Sequence, residues 1–201
     1  YAYYDACVDH SGEGIYSAVF IAAMEAAAFF EKDYDTLIDI GLSYIPEDCG
    51  VARAVRCVRK CYADGLSWKE ARIKLFQETP SSFGEIRGIW KGTKEVPACK
   101  ECPAQDIDPN IPEAVYGYDA PWSMGAILIG LLYGEGDYGK AICIATNLGE
   151  DTDCTAGTLG ALLGIIEGKS GIPAYWKDTC SEKIVTWTLR IDCDLKLPSD
   201  V

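Results

Sequence analysis

The hydrophobic pattern of this chain is helical over most of its length. Gly12 to Lys32 is apolar nearly all round and rich in alanine, which predicts a buried central helix. From Asp33 to Ile45 the apolar positions are Leu37, Ile38, Ile40, Leu42 and Ile45, and Pro46 ends the run. Asp48 to Asp64 keeps Val51, Val55, Val58 and Cys61 on one side, with Gly65 as a stop. Ser67 and Glu70 form a capping box opening a fourth helix, which Pro80 closes. Trp122 to Tyr133 predicts another near-continuous apolar helix, stopped by Gly134-Glu135-Gly136. Asp137 caps a helix over Tyr138 to Asn147. A last helix is expected from Asp153 to Glu167. Its Gly157, Gly160, Ala161 and Gly164 stand three or four apart, predicting a nearly bare face that lets a second helix approach closely.

Two segments break this pattern. Residues Ser81 to Pro121 carry five prolines and four glycines and predict a long irregular loop, or an insertion with short strands of its own such as Glu85 to Trp90. Near the end, Val185, Trp187, Leu189, Ile191, Cys193 and Leu195 alternate with polar residues. A period of two predicts a short β element, paired with the loop region or with chain beyond Val201.

Composition narrows the function classes. A chain of 201 residues buries about 70% of its unfolded surface, so it needs no disulfide or zinc staple to form a core. Acidic residues number 31 and basic residues 18, a net charge of −13. That balance argues against general nucleic-acid binding and against an anionic membrane surface, since both need a Lys/Arg footprint. An anionic ligand would call for a cation as intermediary. The ten cysteines are scattered, which reads as free thiols in a reducing compartment. Cys99 and Cys102 form half of a zinc knuckle, with Cys57 and Cys61 the only neighbours of similar spacing. The most apolar run, Ile15 to Phe30, is shorter than a bilayer span and holds Glu25. No targeting segment is visible, so a cytoplasmic location is the expectation.

Chemistry concentrates in two places. The first is Asn147-Leu148-Gly149-Glu150-Asp151-Thr152-Asp153-Cys154-Thr155. Two carboxylates two residues apart can share a hard cation through oxygen ligands. The simpler reading is that Asp153 caps the following helix, whose dipole favours acids there. Two ligands are too few for calcium or magnesium, so others must join them. The second is Asp9-His10-Ser11-Gly12-Glu13-Gly14, where bare backbone at a helix start favours anions. There Asp9 or Ser11 acting as a cap, with His10 an ordinary hydrogen-bonded side chain, is the simpler alternative. His10 is the single histidine, which excludes any site built from several imidazoles.

These segments resemble the ADP-ribosylglycohydrolase family, which includes the dinitrogenase reductase-activating glycohydrolases. The likeness rests on Ala145 to Ala156, on Gly160-Ala161-Leu162-Leu163-Gly164, and on Gly168, Ile172-Pro173 and Trp176. This run is similar to the family's second metal motif: Gly-x-Asp-Thr-Asp, a small-residue helix, then Ile-Pro-x-x-Trp. His10-Ser11-Gly12, Ala22 to Phe29, Leu131 to Gly134 and Gly136-Asp137-Tyr138 add support. The resemblance implies an all-α fold, an orthogonal helical bundle around a metal-binding cleft. It implies hydrolysis of the glycosidic bond between ADP-ribose and a protein or small-molecule acceptor. The expected cofactor is Mg²⁺, two ions in the family, with Mn²⁺ or Ca²⁺ as substitutes. Asp151 and Asp153 match the metal-binding aspartates, and the resemblance reverses the balance between cap and metal ligand in their favour. His10, Gly14 and Asn147 are the expected substrate-binding residues, and no catalytic residue is assigned. A non-enzymatic ADP-ribose or nucleotide-binding module is the alternative.

Two departures from the family pattern stand out. Cys154 occupies a position where Thr or Ser often supplies a further ligand, and a thiol suits hard magnesium poorly. The second ion is then weak, missing, or held with Thr155 or water instead. Some members carry Cys there, so the substitution does not imply inactivation. Asp9 also stands where Ser or Thr is common. The larger departure is that the family's Thr-Asp-Asp metal motif does not occur in this chain. The expectation is a partial domain over residues 1–201, lacking the N-terminal half with the first metal motif and inactive by itself.

Overall fold

The computed structural model describes residues 1–79 and 119–179. Among these residues the fold is entirely helical, as expected. The elements are α1 (Ala2–Ala6), α2 (Glu13–Ala28), α3 (Tyr34–Ser43), α4 (Gly50–Ala63), α5 (Trp68–Glu78), α6 (Ala120–Gly134), α7 (Tyr138–Asn147), α8 (Thr152–Gly171) and α9 (Ala174–Asp178). The expected strand over 185–195, nearly all of the expected 81–121 loop, and the Cys99/Cys102 pair lie outside the described residues. The described cysteines, Cys7, Cys49, Cys57, Cys61, Cys143 and Cys154, are free. No described helix is long and apolar enough to cross a membrane.

Helix α6 is the centre of the packing. It touches α2, α4, α5, α7 and α8. Its run of Ala126, Ile127, Leu128, Ile129 and Leu131 is buried on all sides, so no polar stripe interrupts it. The helix begins two residues before the expected Trp122. Asp119 accepts from the Trp122 amide at 3.4 Å, and Pro121 sits in the first turn, where its missing N–H costs nothing. Close helix approach also falls on α6 rather than on α8. A Cβ at Gly134 would lie 2.6 Å from the Ala141 Cβ, and one at Gly130 would lie 2.5 Å from Leu159. On α8, by contrast, Gly157 faces open space, and Gly160 meets only Tyr138 and Ile142 of α7 at ordinary or slightly tight distances. The small-residue face of α8 is therefore half solvent-facing, and the expected bare-backbone seam lies one helix away.

The caps explain several boundaries. The Ser67–Glu70 capping box is present, and Asp137 accepts from the Lys140 amide at 2.8 Å. Asp33 caps α3 through the Thr36 amide at 2.8 Å. The cap of α4 is built differently. Cys49 supplies a weak sulfur acceptor for the Ala52 amide at 3.4 Å. The Glu13 carboxylate, from the first turn of α2, accepts from the Gly50 amide at 2.7 Å and the Val51 amide at 2.9 Å. One side chain thus serves two helix starts, satisfying two otherwise orphaned donors of α4 with a charge that suits its dipole. Glu13→Ala is expected to cost about 2 kcal/mol, because it removes two charge-assisted bonds in a half-buried setting. Thermal denaturation should show this as a fall of roughly 4–8 °C for a chain of this size.

Beyond Glu167 the chain turns back on itself. Gly168 adopts a positive φ of 65°, which kinks the end of α8. Pro173 then starts α9, which brings Trp176 edge-on against Tyr138 at 6.0 Å. The Ile-Pro-x-x-Trp segment therefore packs α9 onto the first turn of α7.

Candidate metal-binding loop

The loop between α7 and α8 is a sequence of three unusual backbone turns. Gly149 has φ 82° and Glu150 has φ 65°. The second value is strained for a residue with a side chain, and such strain concentrates at functional loops. Asp151 follows with φ −81° and ψ 69°, and the Thr152 amide donates to the Glu150 carbonyl at 3.0 Å. That is an inverse γ-turn centred on Asp151.

The turn decides what the two aspartates do. Helix α8 begins at Thr152, so Asp151 and not Asp153 occupies the cap position. Its carbonyl accepts the first helical bond, from the Thr155 amide at 3.1 Å, yet its carboxylate accepts no capping bond. Asp153 lies exposed in the first turn. The expectation that Asp153 is merely a helix cap does not hold, since neither carboxylate caps. Instead Asp151, Asp153 and Cys154 bring ligand-type atoms within 4.8 Å of one another.

Cys154 is tied to this pair. Its thiol hydrogen-bonds to Asp151, and that bond is the main reason the pKa of this exposed thiol is raised; slight desolvation and the charges of Asp151 and Asp153 add to it. The thiol therefore stays protonated at neutral pH and donates to the carboxylate. Thr155, one suggested stand-in for the missing Thr/Ser ligand, is buried, with its hydroxyl donating to the Thr152 carbonyl at 3.5 Å.

Arg72 braces the loop from behind, and nothing in the sequence pattern pointed to it. Its Nε donates to the Leu148 carbonyl at 2.5 Å, and its guanidinium lies 4.9 Å over the Phe76 ring. Leu148 itself is fully buried. Arg72→Ala should loosen the turn, giving faster hydrogen exchange at the Gly149 and Thr152 amides. The stability cost is about 1–3 kcal/mol.

The other expected site residues stand apart from this set. His10 hydrogen-bonds to the Asp9 carboxylate and is exposed. Its ring lies against Gly14, where an added Cβ would come within 2.9 Å of the His10 Cδ2. Gly14 is thus what lets the imidazole settle over the start of α2. Neither Asp9 nor Ser11 caps α2, whose cap position is Gly12 at φ 50°. Asn147 ends α7, where its Nδ2 donates to the Cys143 carbonyl at 2.8 Å. None of these contacts joins His10 to the acidic loop.

The fold and the loop together define a class of protein: an all-helical domain that presents oxygen and thiol donors, held by a strained turn, at the mouth of a helix. The sequence model of the ADP-ribosylglycohydrolase family matches residues 1–197. The chain belongs to that family, whose members are glycohydrolases acting on ADP-ribosylated substrates. No curated protein and no solved structure matches it.

Proposed function

We propose that this chain supplies the second metal motif of a metal-dependent hydrolase that cleaves the glycosidic bond between ADP-ribose and its acceptor. The observation that carries the reading is the Asp151–Asp153 pair. Two carboxylates lie within 4.8 Å of each other, and neither is used to cap the helix that begins at Thr152. Their oxygens fit a hard cation such as Mg²⁺, and Mn²⁺ or Ca²⁺ would be accepted by the same donors. Further ligands are needed to complete an octahedral shell, and water or residues outside those described would provide them. A bound ion would supply Lewis-acid stabilisation of charge developing near the anomeric carbon.

The chain's own residues do the rest. Asp151 and Asp153 hold negative charge at the loop, and Arg72 keeps the backbone turn in place beneath them. The Asp9 carboxylate at Nδ1 of His10 leaves Nε2 to meet a ribose hydroxyl, with Gly14 giving the ring its seat. At Asn147, Nδ2 is committed to the helix, so Oδ1 is the atom that accepts from the sugar. The −13 charge supports the cation requirement, since a pyrophosphate would otherwise approach a strongly acidic protein.

The test uses protein expressed from its complete reading frame, with ADP-ribosyl-arginine and ADP-ribosyl-serine as substrates. Release of ADP-ribose should require Mg²⁺ and stop on chelation. Release that persists in chelator would contradict the metal-dependent reading, and cation-dependent binding of ADP-ribose without any cleavage would contradict hydrolysis.

A further inference from the structure

One groove runs against the charge balance of the chain. Between α4 and α5 lies a cavity of about 530 Å³, in the size range of small-ligand sites. Arg53, Arg56 and Lys60 enter it from α4 and Lys74 from α5. The first three stand at i, i+3 and i+7 and so share one helix face. Among the described residues the acids on its lining are Asp64 and Glu78, so these residues give 4 − 2 = 2 positive charges in the groove of a −13 protein.

These cations are not spent on internal pairing. Among the described residues only Lys60 is neutralised, by Asp64 at 2.7 Å. Arg56 donates to the Glu47 carbonyl at 2.8 Å, a neutral partner that leaves its charge uncompensated. Arg53 and Lys74 have no hydrogen bond or ion pair among the described residues. On the same helix, Arg59 is outside the groove lining and is paired with both Asp35 and Asp39. Acidic partners therefore stand near α4, yet among the described residues Arg53 and Arg56 of the groove stripe pair with none of them.

The floor is apolar and uncharged. Cys57, Cys61 and Leu66 contribute to it. Burial is the first cause raising the Cys57 thiol, which is pushed up to about 12, and burial raises Cys61 as well. Both thiols are thus neutral at pH 7 and put no negative charge beneath the cations. Guanidinium groups suit phosphate oxygens through paired donors, while an apolar floor suits an organic body rather than a bare inorganic ion.

The groove is separate from the acidic loop. On α5, Lys74 and Glu78 share one face. Arg72, two positions earlier and about 200° away around the helix, reaches the Leu148 carbonyl. We propose that the groove between α4 and α5 binds an organic phosphate of nucleotide size, its phosphate on Arg53, Arg56 and Lys74 and its body over the Cys57–Leu66 floor.

Calorimetric titration with ADP in the presence of a chelator tests this without a metal at the loop. ADP should bind, and added salt should weaken it. The Arg53→Gln/Lys74→Gln variant should lose about tenfold or more in affinity. Asp151→Asn should bind ADP as the wild type does, and inorganic pyrophosphate should bind more weakly than ADP. Both groove substitutions are at exposed side chains, and an unchanged far-UV circular dichroism spectrum will show that the variant is folded. Equal affinity in the groove variant, or loss of binding in Asp151→Asn with retention in the groove variant, would overturn the proposal. Pyrophosphate binding as tightly as ADP would overturn the organic ligand class.

Discussion

Trp122→Ala should destabilise the protein by about 3–5 kcal/mol, the range for removing a large buried aromatic side chain. For a chain of this size that is a fall in Tm of roughly 6–20 °C. Trp122 is 1% exposed and stacks on Phe76 with centroids 5.0 Å apart and planes 28° apart. Phe76 in turn carries the Arg72 guanidinium on its ring, and Arg72 holds the Leu148 carbonyl. A cavity at Trp122 therefore undermines a stack that ends at the acidic loop. The truncation should speed hydrogen exchange at Gly149 and Thr152 beyond what global destabilisation accounts for. Trp122→Phe should cost far less. It keeps an aromatic face for Phe76, and the indole N–H that it deletes is buried with no hydrogen-bond partner among the described residues. A phenylalanine variant as damaging as the alanine one would mean that the stack is not what matters there.

Asp151→Asn is expected to separate function from stability. The substitution keeps shape and removes a charge and a hard ligand. Release of ADP-ribose should fall by roughly 100-fold or more, since a ligand of the proposed metal site would contribute several kcal/mol of charge stabilisation. The melting temperature should hardly change, because the Asp151 carboxylate caps nothing and the amide oxygen still accepts from the Cys154 thiol. Loss of a favourable helix-dipole term, about 0.3–1 kcal/mol, is the only expected stability cost. Asp153→Asn should behave alike. A large drop in melting temperature with unchanged activity would return both aspartates to a purely structural role.

The helical course of the chain was legible because local signals agreed. Periodicity, the Ser67–Glu70 box and the Asp137 cap all operate within one or two turns, and the box and the cap fall where they were expected, while the helix before Pro46 ends at Ser43, two residues short of the expected Ile45. The same locality explains what was missed. Helix α1 is five residues long, too short for a periodic signal. The start of α8 falls at Thr152, one residue before the expected Asp153, which leaves Asp151 at the cap position and Asp153 inside the first turn. A γ-turn has no signature in residue types, so the freed carboxylates could not be read from spacing.

Long-range partners were the other gap. Glu13 caps a helix 37 residues away, and Arg72 braces a loop 76 residues away. Either contact depends on how α2 meets α4 or how α5 meets α6 and the loop, which no local pattern encodes. The glycines show the same limit. Those of α8 looked like a packing seam, yet the tight contacts occur at Gly130 and Gly134 of α6, inside a run that reads simply as apolar. The resemblance to the glycohydrolases lay in a motif whose residues are contiguous, and it was legible for that reason.

The central claim is that the Asp151–Asp153 pair holds a divalent cation. Isothermal titration of Mg²⁺ into the wild-type chain and into Asp151→Asn tests it most directly. Saturable binding to the wild type, weakened by roughly 100-fold in the variant, is the predicted result. Equal affinities for the two proteins would contradict it.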